Sequence, residues 1–249
     1  MATLNVTVAD GIAHVELNRP EVRNAINLEM VNEMIATLDD LARRDDVRAL
    51  ILSGAGGKAF AGGADIAQLR ERTHKEAFFA INATLFQKVE DFPRPTIAAI
   101  EGYALGGGLE LALACDLRVG SKAAKVGLPE TGLGIYPAAG GTWRLPRLVG
   151  LGRARDLVFT GRILDADEAW AIGIFERLTE AGQALDTARE VAAMIAKNAP
   201  LAVQVAKVSL NALARGGDPG SIERLGQALL MDSPEKYERM TAFLERKKK

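Results

Sequence analysis

The sequence predicts an α/β fold in which a strand, a glycine-containing loop and a helix repeat along the chain. Three observations lead to this prediction. Residues 47–54 and 95–102 are short apolar segments typical of buried strands, glycine-rich stretches follow them, and amphipathic segments of helical spacing come next. The repetition is structural only, because the chain has no sequence period of the solenoid type.

The first elements can be assigned one by one. Apolar and polar residues alternate on both sides of Asp10-Gly11, which predicts a β-hairpin. Helical spacing then predicts a helix from about Asn27 to Arg43 and a second from about Lys75 to Glu90. The remaining predicted extended segments are 47–54, 95–102, 116–121 and 124–130.

The last part of the chain has a different pattern. After about Gly182 four amphipathic segments follow one another, separated by proline and glycine, which predicts helices over 185–199, 201–214, 221–230 and 234–249. We therefore expect a core with the active site over residues 1–190. Residues 191–249 are expected to form a C-terminal helical oligomerisation region.

Composition excludes several classes of function. Charged residues make up 25% of the 249 residues and the net charge is -1, so no general attraction to nucleic acid or anionic membranes is expected. The lone Cys115 cannot form an internal disulfide, and with two histidines it cannot build a common zinc site. His14 and Cys115 are interpreted as structural residues.

No targeting segment is visible. The N-terminus alternates like a strand, and the most apolar window, Thr96 to Leu117, carries Glu101 and Glu110 and four glycines. We therefore expect a cytoplasmic protein that neither crosses nor binds a membrane. The dinucleotide motif GxGxxG and the serine-hydrolase motif GxSxG are both absent.

The segment ALGGGLELALACD, residues 104–116, places three glycines before an apolar helix that contains one glutamate. Glycines at a helix start let a ligand approach free backbone N–H groups, which suits an oxyanion. Tight packing against a strand is the alternative explanation. Glu110 lies one turn further on, where burial should raise its pKa towards that of a catalytic acid or base; a capping or ion-paired glutamate is the alternative.

A second carboxylate strengthens the catalytic interpretation. Glu130 follows Pro129 and precedes a glycine-rich turn, a setting typical of functional loops, although it could simply stabilise a helix N-terminus. Two carboxylates in different environments are a usual arrangement for acid–base catalysis.

Five segments together resemble the crotonase superfamily, the enoyl-CoA hydratases and isomerases. They are LNRPEVRNAIN, KAFAGGADI, GYALGGGLELALACD, GLPETGLGIYPAAGGTWRLPRLVG and TGRILDADEAWAIGIFERL, in the family's order and over nearly the whole chain. The resemblance implies a crotonase-like spiral of ββα units with a C-terminal helical domain, assembled as a homotrimer or a hexamer of two trimers.

The resemblance also implies the substrate and the site. The substrate would be an acyl thioester of coenzyme A, with no separate cofactor and no metal. Ala64 and Gly107 would donate the two oxyanion N–H groups, Glu110 would activate water, and Glu130 would protonate the carbon next to the thioester. The residues implied to lie along coenzyme A are Arg23, Ala25, Ala64, Asp65, Ile66, Ala67 and Gly107.

Four positions depart from the common family pattern. Ala138 stands where hydratases often have glycine, and Tyr136 replaces an aliphatic residue. Trp143 stands where glutamine is frequent, and Ala67 where a lysine near the coenzyme A phosphates is common. These departures bear on acyl-chain preference and on the placement of water.

The leading hypothesis is a 2-enoyl-CoA hydratase, with β-oxidation as the default pathway. An isomerase that moves the double bond from the 3- to the 2-position is the nearest alternative, and hydrolysis or ring opening of CoA esters stays open. A non-enzymatic alternative is an RNA-binding or inactive relative. Glu29, Glu33, Asp39 and Asp40 on the first helix argue against RNA binding, and the retained glutamates argue against inactivity.

Overall fold

A computed structural model describes residues 2–246 and has the predicted mixed α/β architecture. Its strands are β1 Leu4–Ala9, β2 Ile12–Leu17, β3 Ala49–Gly54, β4 Ala59–Ala61, β5 Thr96–Ile100, β6 Tyr103–Leu105, β7 Leu117–Ser121, β8 Lys125–Gly127, β9 Leu164–Asp165 and β10 Arg177–Thr179. Its α-helices are α1 Leu28–Ala42, α2 Ile66–Glu71, α3 His74–Phe78, α4 Ile81–Glu90, α5 Gly107–Ala114, α6 Gly141–Val149, α7 Leu151–Thr160, α8 Ala166–Ala171, α9 Ala184–Ala196, α10 Pro200–Ala214, α11 Pro219–Met231 and α12 Pro234–Arg246.

The strands form two sheets. The larger has the order β1-β2-β3-β5-β7-β10 and is parallel except for the β1–β2 hairpin. The smaller has the order β4-β6-β8-β9. Along the chain β3, β5 and β7 of the larger sheet are each followed by β4, β6 and β8 of the smaller one, and then by helix. This succession is the expected spiral of ββα units.

The hairpin has a simple local cause. Asp10 and Gly11 have φ values of 51° and 76°, the left-handed backbone that a two-residue hairpin turn of the primed type requires. The register pairs Ala9 with Ile12 and Leu4 with Leu17, so the apolar face of β2 reaches the core. The predicted hairpin is confirmed.

The first predicted helix is also confirmed. The side chain of Asn27 accepts a hydrogen bond from the Met30 N–H at 2.9 Å and so caps α1. Met30, Met34 and Leu38 face the core at helical spacing and are at most 1% exposed.

The single helix predicted from Lys75 to Glu90 is wrong. The chain forms α3, then adopts a left-handed conformation at Ala80 with φ 47°, and starts α4 at Ile81. The surroundings change along this stretch: α3 is exposed, Ala77, Ala80 and the first turn of α4 line a cavity, and Leu85, Phe86 and Val89 further along α4 face the core.

Four shorter helices were absent from the sequence interpretation. They are α2, α6, α7 and α8, and they lie in or near segments dominated by glycine or by charge. α2 and α8 have only six residues each, too few to show a helical period, whereas α6 and α7 are separated by Gly150 and α6 contains Pro146, signals that usually end a helix. Contacts with neighbouring elements therefore decide whether such a short segment becomes helical.

The four predicted C-terminal helices are present in the structure as α9 to α12. α9 packs on the outer face of the larger sheet, where Ala188 and Val191 meet Ile51 and Ile97. The expected boundary between residues 190 and 191 falls inside this helix, and the division into domains stays a prediction. Lys247 to Lys249, the end of the helix predicted over 234–249, lie outside the described residues.

Beyond α9 the helices bury little of their apolar surface. The exposed apolar residues of α10, α11 and α12 include Val208, Leu210, Leu213, Leu225, Leu229, Met240 and Leu244. Among the described helices, none is long and apolar enough to cross a membrane. The expected oligomerisation role of this region stays a prediction.

Candidate active site

The three glycines at the start of α5 have different structural reasons. Gly106 has φ 51° and ψ -124°, a conformation that essentially only glycine adopts. Gly108 packs on β4 so closely that a Cβ there would lie 2.1 Å from the Ala61 carbonyl oxygen. Tight packing therefore explains Gly108, whereas Gly106 and Gly107 line a cavity.

Two backbone N–H groups without an acceptor among the described residues belong to residues that line this cavity. Gly107 is the first residue of α5, so its N–H has no acceptor within the helix. Ala64 forms a parallel β-bridge with Ile26. In this bridge the Ile26 N–H donates to the Gly63 carbonyl, and the Asp65 N–H donates to the Ile26 carbonyl. The Ala64 N–H therefore faces away from Ile26.

Ala64 and Gly107 pack closely against each other. A Cβ on Gly107 would lie 3.4 Å from the Ala64 nitrogen, and neither N–H has an acceptor among residues 2–246. Two adjacent free donors, one at a helix N-terminus, can stabilise a developing oxyanion. The structure thus brings Ala64 and Gly107 together from distant parts of the sequence.

Glu110 is almost completely buried, with 3% of its surface exposed. Its Oε1 accepts hydrogen bonds from the Ala139 and Gly141 N–H groups, both at 2.8 Å. Burial raises the pKa of the carboxyl group above its ordinary value, and these two donors oppose the rise. Because Oε1 is fixed, Oε2 is the oxygen that remains for a group in the cavity.

Glu130 has a different environment. It lies in a short 3₁₀ helix, Pro129–Leu133, and neither carboxyl oxygen has a hydrogen-bond partner among the described residues. Burial, with a further contribution from the charge of Glu110, raises the pKa of Glu130 to about 7. A Cβ on Gly106 would be 3.1 Å from its Oε1, so the carboxyl group lies beside the start of α5.

Both glutamates and both free N–H groups line one cavity of about 530 Å³. Its other walls are mainly apolar, and an apolar cavity with a few convergent polar groups is typical of a small-molecule site. The apolar side chains around it include Ile66, Leu69, Ile81, Leu133 and Ile135.

The residues expected along coenzyme A are only partly at this cavity. Ile66 lines it, Ala67 is exposed outside it, and Arg23 is exposed with its guanidinium 5.4 Å from the Tyr103 ring. Asp65 also has a structural role, since Oδ1 caps α2 and Oδ2 pairs with Arg19 at 3.2 Å.

Sequence reasoning missed Arg19. Its guanidinium binds both the Ala25 carbonyl at 2.6 Å and Asp65, so it joins the two segments that were expected to hold coenzyme A. Asn82 was also missed; it lines the cavity, and a Cβ on Gly107 would be 4.0 Å from its Nδ2. Arg19 lies within the segment LNRPEVRNAIN, but no local pattern distinguishes its role from that of Arg23 in the same segment, and Asn82 lies in none of the five segments.

A comparison with family models decides the family. The model described as enoyl-CoA hydratase/isomerase matches residues 7–249. The chain belongs to the enoyl-CoA hydratase/isomerase family. It is therefore an enzyme of the enoyl-CoA hydratase class, and the crotonase-like fold inferred from the sequence is confirmed.

Individual members of this family match over almost their full length. The short-chain-enoyl-CoA hydratase of Clostridium acetobutylicum is 39% identical, over 95% of this chain and 92% of its own. The crotonyl-CoA hydratase of Syntrophomonas wolfei is 40% identical, over 95% of this chain and 93% of its own. The crystal structure of enoyl-CoA hydratase from Bacillus anthracis superposes with a TM-score of 0.94 at 36% identity, covering 98% of this chain and 96% of that one.

The departures from the common family pattern lie in two places. Tyr136 and Ala138 line the cavity, where they can affect the acyl group and water. Trp143 lies outside the cavity lining, and its ring stacks with the guanidinium groups of Arg144 and Arg147 at 4.0 and 4.5 Å. Among residues 2–246 no cluster of three or more histidine, cysteine or acidic side chains could hold a metal ion.

The two residues interpreted as structural do have structural surroundings. His14 shares a hydrogen bond of 2.7 Å with Ser53 between β2 and β3, and burial is the main reason that its pKa is lowered. Cys115 is buried, and burial raises the pKa of its thiol to about 12, so it stays protonated at neutral pH.

Proposed function

We propose that this enzyme is an enoyl-CoA hydratase, which adds water across the double bond of a 2-enoyl-CoA thioester. The observation that carries the proposal is the pair of glutamates with different surroundings, Glu110 and Glu130, beside the free N–H groups of Ala64 and Gly107. The named relatives at about 40% identity support it, since two of them carry hydratase names.

The proposed reaction begins at Glu110. As a carboxylate with Oε1 held by two N–H donors, it uses Oε2 to take a proton from water. The hydroxyl oxygen then bonds to the β-carbon of the substrate. The electron pair of the double bond moves towards the thioester, and the charge collects on the thioester oxygen as an enolate.

The enolate is where the free backbone groups act. The N–H groups of Ala64 and Gly107 would bind the thioester oxygen more strongly as its charge develops; one such donor is worth about 2.7–4 kcal/mol of barrier in other enzymes. Glu130 then gives its proton to the α-carbon. Its pKa of about 7 lies close to neutral pH, where a group can both hold and release a proton.

The substrate is proposed to bind without a separate cofactor or a metal, coenzyme A being part of the substrate. Its acyl group would occupy the apolar cavity, and its nucleotide portion would run along the segment from Arg23 and Ala25 to Asp65, Ile66 and Ala67. The expected cytoplasmic location, the homotrimer or hexamer, and the role in β-oxidation belong to the same proposal.

The experiment that tests it follows the absorbance of the conjugated thioester when the protein is mixed with a short 2-enoyl-CoA. We expect the absorbance to fall, and the Glu110→Gln and Glu130→Gln proteins each to lose at least about a hundredfold of this rate, as general acid–base catalysis usually contributes. Circular dichroism should show that both variants fold. A folded variant with near wild-type hydration would rule out the role assigned to that glutamate.

An enoyl-CoA isomerase is the second candidate, and a specific observation favours it. Both oxygens of Glu130 lack protein partners among the described residues and its pKa lies near 7, so this one group could take a proton from one carbon and return it to another. The assay uses a 3-enoyl-CoA as the substrate. Its conversion to the conjugated 2-enoyl-CoA raises the absorbance of the thioester. Turnover that survives Glu110→Gln but not Glu130→Gln, without hydration by the wild type, would favour the isomerase.

A further inference from the structure

A buried ion pair lies behind Glu110, outside the cavity. Arg144 of α6 is 5% exposed, and its Nε donates to Oε2 of Glu90, at the end of α4, at 2.8 Å. Its Nη1 donates to the Ala139 carbonyl oxygen at 3.0 Å. Neither Arg144 nor Glu90 lines the cavity, so neither can touch a ligand there.

Arg144 contacts the turn formed by residues 139–141, whose N–H groups bind Glu110. Both backbone polar groups of Ala139 are bound: its N–H donates to Glu110 and its carbonyl accepts from Arg144. Gly140 has φ 116°, and a Cβ on it would lie 2.0 Å from Nη1 of Arg144. The guanidinium therefore packs directly against the backbone of residues 139–141, which supplies both donors to Glu110.

Glu90 is itself held from the opposite side. Arg215, just after α10, reaches its Oε1 at 3.3 Å, and Asn211 donates to its backbone carbonyl at 3.1 Å. A buried carboxylate with charged partners on both sides has little freedom to move. Arg144 is thus fixed at its far end while its near end supports the turn.

We propose that Arg144 is a positioning residue for Glu110: by bridging Glu90 and the Ala139 carbonyl it holds the turn 139–141 in place, which keeps two N–H donors aimed at Oε1 and leaves Oε2 directed at water. This inference rests on the proposed acid–base role of Glu110. The proposal depends on the planar guanidinium, because it donates to Glu90 and to the Ala139 carbonyl at the same time. A lysine ammonium group keeps the positive charge but cannot make both hydrogen bonds in this geometry.

The test compares Arg144→Lys with Arg147→Lys. Both arginines lie on α6 and stack on the Trp143 ring, and both variants keep the positive charge, but only Arg144 contacts the turn. In Arg144→Lys we expect kcat for hydration to fall by on the order of tenfold, because the base is misplaced, with KM changing much less. Arg147→Lys should behave as the wild type.

The pH profile separates positioning from a purely structural role. When a carboxylate loses N–H donors its charged form is disfavoured, so its pKa rises. The acid limb of kcat/KM, where the base becomes protonated, should therefore move to higher pH in Arg144→Lys and stay in place in Arg147→Lys. The proposal would be overturned if Arg144→Lys showed both the wild-type acid limb of kcat/KM and the wild-type kcat per folded molecule.

Two additions keep the test decisive. If Arg144→Lys does not fold, Glu90→Asp shortens the carboxylate that anchors Arg144 and should move the limb in the same direction; no movement there would overturn the proposal. If the wild type hydrates no 2-enoyl-CoA, the proposed function fails on its own. Carboxyl ¹³C NMR then follows the titration of Glu110 without turnover, and an identical titration in Arg144→Lys and wild type would still refute the clamp.

Discussion

At the scale of single residues, the two glutamates differ because their neighbours differ. Both are buried, but Glu110 has two backbone donors on one oxygen and Glu130 has none among the described residues. Different surroundings drive the pKa values of paired carboxyl groups apart, which separates a base from an acid. The motifs predicted both positions, but not which glutamate would hold its proton more strongly.

The raised pKa of Glu130 has a measurable effect on stability. Its pKa of about 7 in the folded protein lies above the value of 4.5 for an unperturbed carboxyl group, so folding favours the protonated form. The stabilisation is complete below about pH 4.5 and is lost as the pH rises through 7. We expect Glu130→Gln to be more stable than the wild type at pH 8, by about 1–2 kcal/mol, and similar at pH 4.5.

Urea unfolding at the two pH values measures this difference. Glu223→Gln, at an exposed position of α11, is the matched control and should follow the wild type at both. Equal pH dependence of the wild type and Glu130→Gln would mean that Glu130 is not protonated by folding. Removing an active-site group at a gain in stability is a common trade-off in enzymes.

At the scale of elements, the start of α5 shows how packing and chemistry share one segment. Gly108 lets the helix approach β4, and this approach brings Gly107 next to the Ala64 N–H. The sequence left packing and oxyanion binding as alternatives for these glycines. The structure shows that the two are compatible, because the close approach at Gly108 is what places the free N–H group of Gly107 beside the second strand segment.

We therefore expect Gly108→Ala to destabilise the protein by at least about 2 kcal/mol, since the new methyl group would meet the Ala61 carbonyl oxygen at 2.1 Å. Gly152→Ala is the matched control: it is also in a helix, and no atom lies within 4 Å of its added Cβ. The control should stay within about 0.5 kcal/mol of wild type or gain slightly. Thermal unfolding of both variants measures this; equal stabilities would contradict the packing argument.

At the scale of the whole molecule, the C-terminal helices attach to the core through few polar contacts. Lys207 of α10 is 8% exposed, and its ammonium group donates to the Arg94 carbonyl at 3.0 Å and to Asp116 at 2.7 Å. Asp116 also accepts from the N–H and hydroxyl of Thr96 on β5. The ammonium group therefore connects α10 to the sheet through Asp116.

We expect Lys207→Met to destabilise the protein by about 2 kcal/mol, because it leaves a partly buried carboxylate and a carbonyl without their common donor. Lys88→Met is the control, since Lys88 pairs with Asp39 on the surface and should cost less than about 1 kcal/mol. Hydrogen exchange shows which part of the protein loses stability: the amides of α10 should exchange faster in Lys207→Met and not in Lys88→Met. Equal protection of α10 in both variants would contradict this attachment.

The features that the sequence determined by itself are those set by neighbouring residues. Asp10-Gly11 specifies its turn through backbone conformation, and Asn27 specifies the start of α1 through a local hydrogen bond. The resemblance to the family additionally pointed to the glycines and to both glutamates, because the segments that carry it contain them.

Only the tertiary structure decided the features that need distant residues. It interrupted the predicted helix at Ala80, placed the Ala64 N–H beside Gly107, and put Arg144 behind the turn that binds Glu110. Nothing in the local sequence separates Arg144 from Arg147 three residues later. Burial and hydrogen bonding are properties of the folded environment, so the partners of a side chain and the shift of its pKa depend on contacts that a local pattern does not contain.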